Sequence, residues 1–391
     1  MLIERDLFLK IKPYLAASGA VVITGMRRVG KTTMLRQIME EIKSENKVFL
    51  DMENPANRKY FEEDNYEKIL NNLIFLGLDS GKRGYVFLDE IQFVKNIPSV
   101  VKYLSDHYKI NFFLSGSLSF YLKNLFSESL AGRKYIFELF PLNFQEFLRI
   151  KGAKINTKAV KEETSLSIAV FENISRYYDE YLLYGGFPAI AQIESIQEKK
   201  KALEDIFSSY FQLEIIQIGD FRKVNVVRDL MLLLMERTGA KIDIQKISRE
   251  LGVSRETISN YIAFLESTYF ISLVRPFSRN RDTEIRSMPK FYLCDTGLAN
   301  HFSRISEGAL FENAVFNALR ERGEVNYYQK KSGVEIDFII DKKYAYEVKI
   351  KAYEQDIKKL AALSKELKLK DYRIISRKYS PLEHVRYGFM L

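Results

Sequence analysis

The sequence predicts an α/β protein: a parallel sheet with helices on both faces, then a helical region, a helix-turn-helix and a smaller α/β unit. Three observations lead there. Between residues 20 and about 140, the short apolar runs "AVVITG", "KVFLDM", "GYVFLDE", "NFFLSGS" and "KYIFEL" alternate with helical segments. Strands so continuously apolar are buried on both faces, which is the mark of a parallel sheet covered by helices. A glycine-bearing loop, "GMRRVGKTT", joins the first of those strands to a helix. Near the C-terminus, "VEIDFIIDKKYAYEVKIK" alternates by twos on either side of Asp341-Lys342-Lys343, as a β-hairpin does.

A chain of 391 residues has room for two or three domains, and with 47% hydrophobic and 28% charged residues it can bury a core. The pattern divides it at 1–150 (phosphate-loop core), 151–235 (helical lid or linker), 236–280 (winged helix-turn-helix) and 281–391 (terminal α/β unit). The net charge of +9 favours an anionic partner. A single cysteine, Cys294, rules out an intramolecular disulfide and a cysteine-rich zinc site, and three scattered histidines argue against a histidine-rich one. The opening "MLIERDLFLKIKPYL" is charged throughout, unlike a signal peptide, and no apolar run approaches the roughly 20 residues of a membrane span. A cytoplasmic protein with no membrane partner is expected.

Gly25–Thr33 fits G-x-x-x-x-G-K-[ST] in its required place, after a strand and before the helix "TMLRQIMEEI". Gly25 and Gly30 permit the tight path, and the backbone through Arg27, Arg28, Val29 and Gly30 surrounds the phosphates with N–H donors at the helix start, which Thr33 continues. Lys31 is expected on the β- and γ-phosphates, and the Thr32 hydroxyl on Mg²⁺. The strand "YVFLDE" ends in two acids. Asp89 is expected to hold Mg²⁺ and Glu90 to polarise the attacking water. Ser115 or Ser117, closing "FFLSGS", would lie beside the γ-phosphate unless they merely form a turn. Arg133 is a candidate arginine finger, in cis or from a second subunit, against the commoner role of a solvated surface arginine.

In order, "GMRRVGKTTML", "FLDEIQ", "LSGS", "LAGRKYIFELFPLNFQEFL", "YGGFP" and "CDTGLA" resemble a family of predicted archaeal and bacterial ATPases. That family joins an AAA-type phosphate-loop domain to a C-terminal domain of uncharacterised function. The resemblance covers nearly the whole chain. It implies an AAA-like ATPase core, a winged helix and a restriction-endonuclease-like tail, with Lys31, Thr32, Asp89 and Glu90 at the ATP site and Ser115 and Arg133 in accessory roles. It implies no substrate.

"IDIQKISRELGVSRETISNYIAFLESTYFISLV" has the layout of a winged helix-turn-helix. Ile247 and Leu251 form the first helix's stripe, Gly252 turns, Ser254 caps the second helix, and Ile258, Ile262 and Leu265 face its core. Arg255, Thr257 and Ser259 beside Glu256 make a modest groove-reading set. Arg275, Arg279, Arg281, Arg286 and Lys290, against Asp282 and Glu284, form a basic connector able to follow a phosphate backbone. The bland reading is a packing module with a solvated linker.

In the hairpin, folding about the three-residue turn sets Asp337 opposite Glu347 and Glu335 opposite Lys349. Facing carboxylates repel unless something lies between them. The acid, a nine-residue spacer and Glu347-Val348-Lys349 fit the acid–spacer–(D/E)-x-K pattern of restriction-endonuclease-like nucleases. There a divalent ion removes the repulsion and activates water, while the lysine orients the nucleophile. Glu312 on "GALFENAVFNALR" is the candidate third acid, and Gln329 and Lys351 are candidate cleft residues. A solvated polar face, with Glu335 paired to Lys349, is the plain alternative.

Together these expectations describe an ATP- and Mg²⁺-dependent ATPase acting on nucleic acid, DNA rather than RNA, as a candidate homo-oligomer. Its tail is expected to bind a second Mg²⁺ or Mn²⁺ and to be a candidate nuclease. The competing expectation is a regulatory or signalling ATPase whose C-terminal modules bind a protein or DNA without cutting.

Overall fold

Apolar alternation and phosphate-loop chemistry translate directly into the first sheet of the computed structural model. The structure describes residues 5–17, 19–117, 134–162, 166–219, 221, 223–278, 284, 286–330 and 332–391. Arg133, and Arg279, Arg281 and Asp282 of the connector, lie outside the described residues. The chain clusters into two units, one of 1–140 with 267–269 and one of the remainder.

In the first unit, α1 (Asp6–Ile11) precedes β1 (Ala20–Thr24), and α2 (Lys31–Glu41) leaves the phosphate loop. Next come β2 (Lys47–Asp51), α3 (Tyr66–Phe75), β3 (Gly84–Asp89), α4 (Ile97–His107), β4 (Ile110–Gly116) and β5 (Lys134–Glu138). The strands pair in parallel in the order β2–β3–β4–β1–β5. β1 and β4, in the interior of the sheet, are buried at every residue, whereas edge strands β2 and β5 are only partly covered. That gradient is why β1 and β4 carry the least polar sequences. Val48, Leu50, Val86 and Leu88 of the sheet pack against Ile69 and Leu73 of α3 and Val100 and Leu104 of α4. Because every strand runs the same way, the C-terminal ends of β1, β3 and β4 gather at one edge, where open α/β sheets bind ligands.

The second unit opens with α5 (Phe144–Ile150), started by a reciprocal cap in which Asn143 and Glu146 satisfy each other's backbone N–H. Helices α6 (Ile168–Tyr184), α7 (Ile196–Tyr210) and α8 (Val224–Glu236) follow. Phe144, Tyr178 and Phe389 pack edge-on and tilted around one another, which ties the last residues of the chain to α5 and α6.

Helices α9 (Ile244–Glu250) and α10 (Arg255–Ser267) meet at a turn where Gly252 is left-handed (φ 64°). Ser254 Oγ accepts the Thr257 N–H at 3.1 Å, and Ile258, Tyr261, Ile262 and Leu265 are buried. β6 (Ile271–Pro276) and β7 (Lys290–Leu293) pair antiparallel. After α11 (Thr296–Phe302) and α12 (Glu307–Leu319) come β8 (Val325–Gln329), β9 (Glu335–Ile340), β10 (Tyr344–Lys349), α13 (Glu354–Glu366), β11 (Asp371–Ser376) and β12 (Val385–Tyr387). β6 pairs on its far side with β8, making one seven-stranded sheet in the order β12–β11–β10–β9–β8–β6–β7. The strand expected to begin a wing is thus an interior strand of the C-terminal sheet, and the 280/281 division falls between β6 and its partner β7.

The quoted motifs "YGGFP" and "CDTGLA" meet in space. Gly185 ends α6 with φ 79°, and a Cβ there would lie 2.0 Å from an Asp295 carboxylate oxygen. Asp295 accepts the Gly186 N–H at 2.7 Å and caps α11 through Gly297 and Leu298. Burial is the strongest influence on its carboxyl and pushes it up to about 6; the three N–H donors and Arg320 limit the rise and leave it ionised at neutral pH. Replacing Asp295 by Asn turns one acceptor into a donor facing the Gly186 N–H. Urea denaturation followed by tyrosine fluorescence should show Asp295→Asn less stable by about 2 kcal/mol.

Candidate nucleotide site and tail cleft

The phosphate loop depends on glycines at its ends. A Cβ on Gly25 would sit 2.1 Å from the Leu139 carbonyl oxygen, and Gly30 takes φ 99° just before α2. Between them Arg28 is also left-handed (φ 69°) and exposed, while Val29 is buried beneath the loop. Arg5 braces the loop from behind, donating to the Val29 carbonyl at 2.9 Å and to the Phe140 carbonyl at 2.7 Å. Lys31, 3% exposed, donates to the Gly25 and Met26 carbonyls at 3.1 Å each. These are weak neutral partners that a phosphate would outbid. Thr32 Oγ1 donates to Asp89 Oδ2 at 2.6 Å, and Ser115 Oγ donates to the other oxygen, Oδ1. A hydroxyl and a carboxylate side by side are hard oxygen donors, the set Mg²⁺ prefers. Thr33, one residue into α2, is exposed.

Burial raises the Asp89 carboxyl above its ordinary range despite the hydrogen bonds from Ser115 and Thr32. Glu90 goes the other way. Burial opposes its charge, but Lys31, the Gln92 amide and Arg27 outweigh it and hold the carboxyl below the ordinary value. Lys31 Nζ is 3.9 Å and Arg27 Nη1 4.0 Å from Glu90 Oε1. Arg27 also grips Glu53 at 3.0 Å. Glu90 sits in the left-handed region (φ 52°), a conformation retained where the surroundings over-determine it. Gln92 was absent from the residues the sequence singled out. Its Nε2 donates to Glu90 Oε2 at 2.5 Å and to Ser117 Oγ at 3.0 Å, linking the strand ends of β3 and β4. Only its position two residues after Glu90 could have signalled this.

In the tail the hairpin keeps the register the alternation predicts. Tyr344 pairs with Ile340 and Tyr346 with Phe338 across Asp341 and Lys342, both left-handed. One step further in that register Asp337 faces Glu347, and Asp337 Oδ2 accepts the Val348 N–H at 2.7 Å. Both acids are 6% exposed and lie out of solvent, whereas Glu335 and Lys349 on the same face are partly exposed. Lys349 donates to Glu347 Oε1 at 2.7 Å, while Glu347 Oε2 is buried without a hydrogen-bond partner. Glu312 accepts the Tyr292 hydroxyl at 2.6 Å. Burial, then the charges of Glu347 and Glu312, hold the Asp337 carboxyl well above its ordinary range. Burial likewise raises Glu347, with Lys349 opposing.

Lys290 requires a correction. Read as part of a basic stripe, it is 6% exposed at the start of β7, with Nζ 3.6 Å from Glu312, 3.8 Å from Glu335 and 4.0 Å from Asp337. Burial opposes its charge, but the three carboxylates raise its pKa and keep it an ammonium. A lysine and a tyrosine alternating in the buried strand "KFYL" were the available signal, since a charge in a strand buried throughout must have a partner. Gln329 touches the cleft's rim by donating to Glu335 at 3.2 Å, whereas Lys351 is exposed, its ammonium 5.5 Å from the Tyr353 ring. Arg275 and Arg286 are exposed, as are Arg255 and Glu256 at the start of α10. Among the described residues no group of three His, Cys, Asp or Glu side chains stands ready to hold a metal ion, and no helix is long and apolar enough to cross a membrane.

A family model described as an AAA domain matches residues 17–148, and two models described as domains of unknown function match 175–309 and 307–384. An uncharacterised protein of Methanocaldococcus jannaschii is 31% identical over 399 residues, covering 95% of this chain and 85% of that protein. One from Haemophilus influenzae is 26% identical over 356 residues, covering 86% and 84%. Among solved structures, the Walker-type ATPase of Pyrococcus abyssi is similar at 15% identity with a TM-score of 0.48, over 77% of this chain and 95% of that one.

Among the described residues Lys31 is held by two carbonyls and a distant Glu90, so it is poised for a stronger anion. Lys31→Ala should weaken nucleotide binding on the order of 100-fold, measured with a fluorescent ATP analogue.

Proposed function

We propose that this chain, which belongs to the same family as the Methanocaldococcus jannaschii protein and carries an AAA-type phosphate-loop domain, is a Mg²⁺-dependent ATPase acting on nucleic acid, DNA in the first instance. The observation that carries the ATPase reading is Thr32 hydrogen-bonded to Asp89 with Glu90 adjacent and charged. Lys31 turns from the Gly25 and Met26 carbonyls to the β- and γ-phosphates, and the N–H groups at the start of α2 hold the β-phosphate. Thr32 and Asp89 would hold Mg²⁺, which when bound neutralises charge on the phosphate oxygens. With Lys31 and Arg27 drawn to phosphate, Glu90 is released to accept a proton from water, and Ser115 and Ser117 report the γ-phosphate through Asp89 and Gln92. An arginine finger from Arg133 of a neighbouring copy would require a homo-oligomer.

In this reading 1–150 is the ATPase core, 151–235 its helical lid, 236–280 the winged-helix region whose strand β6 joins the sheet of the following tail, and 281–391 a restriction-endonuclease-like tail, in a cytoplasmic protein. The exposed Arg255, Arg275 and Arg286 supply phosphate contacts. Asp337, Glu347 and Glu312 are the acids that would hold a divalent ion in the tail. The orphaned Glu347 Oε2 fits that demand, being a buried oxygen with a lone pair and no donor. Lys349 would stabilise charge at a phosphate under attack. A second reading, a tail that binds without cutting, is favoured by Lys290 standing among the same acids.

Glu90→Gln should retain ATP binding and lose about 10²–10⁴-fold in turnover, read by phosphate release. Incubation of wild-type protein with plasmid DNA and Mn²⁺ should produce cleavage that Asp337→Asn and Glu347→Gln abolish. No cleavage by the wild type, with or without ATP, leaves the binding module as the tail's function.

A further inference from the structure

We infer that Lys290 is the resident cation of the tail's acidic site: its ammonium stands against Glu312 and Asp337, two of the three acids that would hold a divalent ion, with Glu335 beside them, so a metal enters only by displacing it. The inference rests on the reading of this cleft as a metal site and adds what balances its charge when no metal is bound. Three features distinguish Lys290 from an ordinary structural ion pair. Its nitrogen lies within 4.0 Å of three carboxylates, Glu312 nearest at 3.6 Å, then Glu335 at 3.8 Å and Asp337 at 4.0 Å. The side chain is 8% exposed and backed by the Tyr327 ring at 5.6 Å, so the charge is largely desolvated. And the neighbouring acid is incompletely met: Lys349 serves Glu347 Oε1, while Oε2 is buried with no hydrogen-bond partner among the described residues.

A single positive charge thus does part of what a divalent ion would complete. Lys290 is the first residue of β7, directly after the basic connector. Its four-carbon stem can swing without moving the strand's later residues.

The test is Mn²⁺ binding to the full-length, nucleotide-free protein, read from loss of the free-ion EPR signal. Lys290→Met should bind Mn²⁺ at least about tenfold more tightly than wild type, because a repelling charge has gone. Lys290→Arg should match wild type, and adding Asp337→Asn to Lys290→Met should abolish the gain. Equal or weaker binding by Lys290→Met overturns the inference and leaves the metal reading standing. Binding by none of these proteins overturns the metal reading and the inference with it. If Lys290→Met does not fold, the wild type decides through acetylation of Lys290 by an N-hydroxysuccinimide ester, read by mass spectrometry. Mn²⁺ should raise its labelling several-fold, and unchanged labelling while Mn²⁺ binds overturns the displacement.

Discussion

A buried carboxylate must be answered by a donor or a cation, and both candidate sites are organised around that requirement. Asp89 is answered by two hydroxyls, Glu90 by Lys31, Arg27 and Gln92, Asp295 by three backbone N–H groups, and Asp337 by one N–H and Lys290. The modes differ in consequence. Backbone donors belong to the fold and cannot leave, so Asp295 fixes a junction. Lysine ammonium groups sit on flexible stems, so the acids they serve can be released. That difference separates the structural acid of this chain from its candidate catalytic ones.

The nucleotide site shows how a parallel sheet converts this chemistry into geometry. β1, β3 and β4 end at one edge, so the loop lysine, the two acids and the serines arrive together although up to 90 residues separate Gly25 from Ser115 along the chain. Left-handed backbone at Arg28 and Glu90 is held in place by this convergence. Such strain persists where many contacts agree on one conformation, and here they agree on aiming Glu90 toward Lys31.

Much of this was legible in advance because it is encoded locally. Strand burial follows from unbroken apolar runs, the phosphate loop from glycines at fixed spacing, helix α10 from Ser254 and its apolar face, and the hairpin register from its turn. Other features were not legible because they join residues far apart in sequence. Lys290 read as part of a basic connector able to follow a phosphate backbone until β7 paired with β6 and brought it to within 4.0 Å of Glu312 and Asp337. "YGGFP" and "CDTGLA" were unexplained motifs until Gly186 and Asp295 were found hydrogen-bonded. β6 read as the start of a wing until its second edge met β8.

By itself, then, the sequence determined the elements, their faces and the candidate acids, since periodicity and turn chemistry act over a few residues. Only the tertiary structure decided which charges share a cavity. Glu90 and Lys31 were near neighbours in any phosphate-loop fold, but the partners of Asp337 depended on how seven strands were ordered. The energy of a buried charge is set by whatever stands within a few ångströms of it, and strand order, not local pattern, brings those neighbours there.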